Sequence, residues 1–335
     1  MRLDVQPWGE SLAELLSAAR DAEAAGAGVA WAPELHRSAP VVAAALATAT
    51  SRVGVGTGIA LAFARSAMLT ALSAADLDEL SGGRFRLGLG TGVGRLNRDW
   101  HGVAFDQPVA RLRDTVAIVR AVLAGGDPLV HSGVRSISVH GWRRPYPPVR
   151  PNIPIYLAAV GPRLVRLAGE VADGWLSHEI CPPAALRTRI WPALAVGLDR
   201  SGRERRAFDV VAAACCSVSA DAFEARRRAA NVVGFYASVR SYADMFAAGG
   251  FGAVTAAASA ALRSGRPADA LGDLVPDDMI DAYAIAGTPS FCASRISDFS
   301  GLADAVKLSP PSYGLAADEV RDAQKSLLEL VGSMS

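Results

Sequence analysis

Short apolar runs alternate with helix-period segments along the chain. "RLDVQ" (2–6), "GVAWAP" (28–33), "RVGVGTGIAL" (52–61) and "RFRLGLG" (84–90) each read as a strand. "IPIYLAA" (153–159), "DGWLS" (173–177), "FDVVAAACC" (208–216) and "DAVKLS" (304–309) continue the series. The first helix is signalled by Ser11 with Glu14 three residues on, a capping box, and it stops at Gly26. Leu12, Leu15, Leu16 and Ala19 form its apolar stripe. Further helices are predicted at 40–50, opened by Pro40, at 66–80, closed by Gly82-Gly83, and at 108–124 and 317–332. Residues 127–150 read as a short hairpin turning at Ser132-Gly133. Eight strands separated by helices predict a closed parallel (β/α)8 TIM barrel in the α/β class rather than an open sheet. The Ala-rich helical stretch 219–280 falls between strands seven and eight and reads as an insertion over the catalytic end. No repeat or linker divides the chain, so residues 1–335 are expected to be a single domain.

Two strands carry glycine at every second position. Gly88 and Gly90 share one face, continued by Gly92 and Gly94, while Phe85, Leu87 and Leu89 share the other; Gly54, Gly56 and Gly58 repeat the pattern. The dinucleotide fingerprint GxGxxG is not met, because its third glycine position is Val93 in one segment and Ile59 in the other. Two readings stay open for these bare faces. Another backbone or a bulky neighbour packs closely there, or a flat ligand lies against exposed amide at the catalytic end of the barrel.

Composition narrows the partners. The chain is 51% hydrophobic and 20% charged with a net charge of +1, which suits a large core and argues against nucleic acid or an anionic membrane as obligatory partner. The N-terminus shows no basic-then-apolar signal pattern, and Cys181, Cys215, Cys216 and Cys292 have no CxxC spacing, so a cytoplasmic chain with inert thiols is expected. The five histidines form no HxH or HExxH, so no metal site is expected. Only two lysines are present, and Lys307 on strand eight is the one candidate for Schiff-base chemistry, without a companion acid–base pattern.

Three segments, "VGVGTGIALAFARSAMLTA", "DELSGGRFRLGLGTG" and "PIYLAAVGPRLVRLAGEVADGWL", resemble the bacterial-luciferase-like flavin and deazaflavin oxidoreductases, in particular the actinobacterial branch that uses coenzyme F420. "FYASVRSYADMFAAGGFG" (235–252) resembles that branch's insertion. The resemblance implies a cofactor ring at the C-terminal ends of the strands, backed by a non-proline cis peptide that maps to Gly58-Ile59. It implies phosphate contacts at Thr91-Gly92 and at Ala159-Val160-Gly161-Pro162-Arg163, and Asn97 matches, one residue shifted, an asparagine that touches the ring. The second phosphate segment stands on physics too, since a glycine cap followed by Pro162 at the first helical position leaves backbone N–H groups facing an anion.

After strand two, "PELHRS" places Glu34 and His36 where relatives carry an acid and a histidine near the ring; which of the two reaches it is left open. A histidine there can handle the proton that accompanies hydride transfer. His178 at the end of strand six is a substrate-side candidate, and Trp142, Tyr236 and Phe251 are candidates for a pocket roof. The expected function is F420-dependent hydride transfer with a small organic substrate. The alternatives are an FMN-dependent two-component monooxygenase served by a flavin reductase, and a non-catalytic flavin-binding relative. A homodimer is expected by analogy with relatives.

Overall fold

A computed structural model describes residues 1–335. Two compact units make up the chain: Met1–Gly28, Ser177–Leu186 and Val211–Ser335 form one, and Val29–Leu176 with Arg187–Val210 form the other. The strands are β1 (Arg2–Val5), β2 (Val29–Ala32), β3 (Gly54–Thr57), β4 (Ala60–Leu61), β5 (Phe85–Gly90), β6 (Leu129–His131), β7 (Ile137–Val139), β8 (Ile155–Ala158), β9 (Gly174–Leu176), β10 (Asp209–Val218), β11 (Ala284–Gly287) and β12 (Ala305–Ser309).

In the first unit the order is β11-β10-β12-β1, all parallel. In the second it is β2-β3-β5-β8-β9, again parallel, with β4 also beside β5. β6 and β7 form the expected hairpin, which is antiparallel. The helices expected from periodicity are present as Leu12–Ala24, Ala39–Ala49, Ala67–Leu80, Pro108–Ala124 and Ala317–Met334. Ser11 caps the first of these by accepting from the Glu14 amide at 3.1 Å, while the Glu14 carboxylate turns back to the Glu10 amide at 2.7 Å rather than to Ser11.

Three details differ from the sequence reading. The third strand is not continuous: β3 ends at Thr57, the Gly58-Ile59 peptide is cis, and β4 resumes at Ala60. Register changes across the break, from Val55 opposite Phe85 to Ala60 opposite Leu89, so the broken strand carries one residue more than β5. The Thr57 hydroxyl fills the gap in the ladder, donating to the Gly88 carbonyl at 2.7 Å and accepting from the Gly88 amide at 2.9 Å. Secondly, the segment after β10 runs further than 280. Helices Ala222–Ala237, Ala243–Ala248, Gly252–Arg263 and Asp277–Tyr283 are followed by β11 and by the helix Pro289–Ser297. "AIAG" in β11 lacks the branched and aromatic residues that mark a strand, so only its pairing with Cys215–Val218 reveals it. Thirdly, the segment's own core is built around Tyr236, Phe246, Leu271, Met279 and Tyr283, so its aromatics are partly structural.

All four cysteines are free and buried. No helix is long and apolar enough to cross a membrane.

Candidate functional site

The glycine faces of β3 and β5 are not vacant, which corrects the flat-ligand reading of their spacing. A Cβ at Gly56 would lie 2.6 Å from the Trp31 ring, one at Gly58 2.9 Å from the Trp31 Cβ, and one at Gly88 1.9 Å from the Thr57 carbonyl oxygen. Trp31 is fully buried, and its indole meets Tyr156 edge-on at 5.4 Å. At Gly90 the occupant is Ile59, 2.9 Å away, and at Gly92, which has φ +62°, it is Leu61 at 2.6 Å. Close packing is therefore what these glycines serve, and the sequence reading missed Trp31 as the filler. Gly161 differs. A Cβ there would meet nothing within 4 Å.

Around these glycines the second unit arranges several polar groups. Asn97, on the single π-helical turn Leu96–Trp100, is fully buried. Its Nδ2 donates to the Thr91 carbonyl at 2.8 Å and to the Val93 carbonyl at 3.0 Å, which fixes the amide's orientation. Its Oδ1 is buried without a hydrogen-bond partner. An orphan acceptor of this kind costs stability unless a donor completes it. Thr91 turns its hydroxyl to the Gly92 carbonyl at 3.0 Å.

Further along, the Ala159 carbonyl accepts from Trp175 Nε1 at 2.9 Å. Gly161 is the N-cap of the helix Pro162–Val171 and makes no side-chain cap. Its carbonyl accepts from Leu164 and Val165 at 3.0 Å. Val160, Gly161, Pro162 and Arg163 are exposed, so the first-turn donors of a ten-residue helix face outward, as an anion site requires.

Glu34 and His36, left undivided by the sequence, have different surroundings. The Glu34 carboxylate receives Arg65 Nη1 at 2.7 Å, Arg65 Nη2 at 2.5 Å, the Leu61 amide at 2.7 Å and the Ala39 amide at 3.2 Å. Burial pushes its pKa up, but the Arg65 hydrogen bond, the Leu61 amide and the Arg65 charge outweigh this, and the carboxyl titrates below the ordinary glutamate range. It is an anion that fastens the loop after β2 to the residue following the cis peptide. Arg65 lies 31 positions away, and nothing in the sequence pairs the two. His36 is exposed.

The first unit holds a second group. His178 is wedged against Tyr236 (4.3 Å, 86°) and Tyr242 (4.4 Å, 43°), and the Tyr236 hydroxyl lies 3.3 Å from that of Tyr313. Burial, then the charge of Lys307, pushes the His178 pKa down to about 3, so the ring is neutral at pH 7. Its Nδ1 is buried without a partner. Lys307 is 4% exposed and donates to Gln6 Oε1 at 2.9 Å. Sequence reasoning weighed Lys307 only as a Schiff-base lysine, took Glu179 for solvated surface, and passed over Gln6. The spacing of alternate inward positions on β12 was the one available signal.

A family described as luciferase-like monooxygenase matches residues 2–304. The chain is 33% identical over 245 residues, 70% of each chain, to a 5,10-methylenetetrahydromethanopterin reductase of Methanolobus tindarius. It is 31% identical over 242 residues, 67% of this chain and 69% of the relative, to a Mycobacterium tuberculosis protein whose name assigns it provisionally to the coenzyme F420-dependent oxidoreductases. Among solved structures, the coenzyme F420 dependent tetrahydromethanopterin reductase from Methanopyrus kandleri superposes with a TM-score of 0.83 at 24% identity, covering 99% of this chain and 96% of that one. That likeness bears out the fold expected from the alternation of strands and helices, an α/β (β/α)8 barrel.

Proposed function

Because this chain belongs to the luciferase-like monooxygenase family, we propose that it is an F420-dependent oxidoreductase that transfers hydride between the deazaflavin and a small organic substrate. The observation that carries this reading on the chain's own residues is the unmet acceptor at Asn97. Its Oδ1 is buried and unpartnered while its Nδ2 is anchored twice. The pyrimidine edge of a deazaflavin presents an N–H donor, which fits an acceptor held in that way. The relatives' printed association with F420 favours that cofactor over FMN, which shares the same edge.

Under this reading Gly58 and Ile59 back the ring, Thr91 and Gly92 line its edge, and Ala159, Val160, Gly161, Pro162 and Arg163 receive the phosphate. The outward amides of 161–163 supply the donors, and Arg163 adds a charge-assisted contact. The bound deazaflavin supplies a carbon that accepts or releases hydride. His36 is the proton-handling residue, since it is exposed to solvent. Glu34 acts through Arg65 and Leu61 as a positioning residue, because its oxygens are already engaged. His178 and Tyr236 face the substrate, with the insertion as cover, in a chain working as one domain, as a homodimer, in the cytoplasm.

Titration of the purified protein with F420 and with FMN, followed by fluorescence quenching, tests the proposal. F420 binding that weakens in Asn97→Leu is the expected result. Tight FMN binding without F420 binding, accompanied by oxygen consumption when reduced FMN is supplied, would transfer the chain to the monooxygenase reading.

A further inference from the structure

The inner face of the first unit carries more hydrogen-bond donors than its own residues satisfy. Register places Lys307 of β12 beside Ala213 of β10 and Asp4 of β1, and Ser309 beside Cys215. Strand alternation puts Lys307, Ser309, Cys215 and Ser217 on one face. Lys307 Nζ has three protons and gives one to Gln6 Oε1. Ser309 Oγ, Ser217 Oγ and His178 Nδ1 are all buried without partners. Such a surplus of donors around one ammonium group asks for an oxygen acceptor from outside the protein.

The charges decide which kind. Asp4 is held by Arg2 Nε at 2.8 Å and Nη2 at 3.1 Å. Glu179 is the remaining acid facing Lys307: burial pushes the lysine pKa down, while Glu179 and Asp4 hold it up. Burial pushes the Glu179 pKa up and Lys307 pulls it back. The other titratable groups of this cluster, His178, Cys215, Tyr236, Tyr242 and Tyr313, are neutral at pH 7. Lys307 and Glu179 therefore cancel, so a carboxylate or phosphate finds no net positive charge, whereas a neutral carbonyl oxygen finds a strong donor. Tyr236, Tyr242 and Tyr313 stand by with an aromatic wall for an apolar substituent.

We propose that Lys307, oriented by Gln6, binds the oxygen of a neutral aldehyde or ketone and donates the proton that completes its reduction to an alcohol. This rests on the hydride-transfer reading above. The carbonyl carbon gains the hydride given up by the reduced deazaflavin, which is oxidised in the step. The C=O π pair passes to oxygen, an O–H bond forms as a Lys307 N–H bond breaks, and the lysine amine regains its proton from water. In the alcohol-to-carbonyl direction the amine accepts that proton.

The test uses carbonyl-labelled cyclohexanone on the cofactor-free protein, read by isotope-edited infrared spectroscopy. In the wild type the bound C=O stretch is expected to fall below its value in water, and to return towards it in Lys307→Met, with affinity down about tenfold or more. Cyclohexanecarboxylate should bind no tighter than cyclohexanone. A wild-type band at or above the water value, no binding of cyclohexanone, or tighter binding of the carboxylate would each overturn the proposal, whether or not the variant folds. F420 titration in parallel separates the two readings: F420 binding without the infrared shift removes only the lysine's role, and the shift without F420 binding removes only the cofactor assignment.

Discussion

Replacing Gly88 by alanine sets close packing against an open ligand face. The added Cβ would lie 1.9 Å from the Thr57 carbonyl oxygen, about 1.5 Å inside ordinary contact, with the Trp31 ring 3.6 Å beyond. Neither neighbour can yield cheaply. Trp31 is fully buried, and Thr57 is tied to Gly88 itself by two buried hydrogen bonds of 2.7 and 2.9 Å. Moving β3 aside breaks both, at about 1 kcal/mol each, on top of about 1–3 kcal/mol for overpacking. The expected loss is about 3–5 kcal/mol, seen as a fall in melting temperature of about 6–15 °C. Gly161→Ala is the control: it has no atom within 4 Å and an ordinary φ of −77°, so it should cost under about 1 kcal/mol. Thermal and urea unfolding of the two variants measure the contrast. If Gly88→Ala melts with the wild type and loses only cofactor affinity, the face is bare for a ligand and the packing argument is refuted.

Glu34→Gln should cost about 1–3 kcal/mol at pH 7, because it leaves Arg65 unpaired in a partly buried site. Since the folded carboxyl titrates below its unfolded value, that contribution is present above about pH 4.5 and fades as pH falls through the folded pKa; a gap that stays constant into acid in urea titrations would contradict the charge assignment. His178 has the opposite consequence. With a folded pKa of about 3 against about 6.5 unfolded, the unfolded chain takes the proton first, so stability falls as pH drops from 6.5 towards 3. His178→Gln should flatten that limb of the stability profile, and an unchanged slope would show the ring to be solvated.

What was legible in the chain was whatever is written in local period. Strand and helix order followed from alternation and caps, and the helix start at Pro162 followed from a glycine–proline step. The glycine spacing was also legible, but its meaning was not, because emptiness along a strand looks the same whether a ligand or an indole 25 residues earlier fills it. Trp31 stands in an unremarkable "GVAWAP", and only its register opposite Gly56 turns it into the filler. The roles of Glu34 and Lys307 were hidden for the same reason, since their partners Arg65 and Gln6 lie 31 and 301 positions away. Asn97 shows the limit most sharply. Spacing nominated the residue, but what gives it chemical meaning is an acceptor with nothing to accept, a property of the folded surroundings and not of any position in the chain. Unmet valence of this kind, at Asn97 in one unit and at His178, Ser217 and Ser309 in the other, points to ligands more directly than the glycines do, because burial without a partner lowers stability and is tolerated where a bound molecule supplies the missing bond.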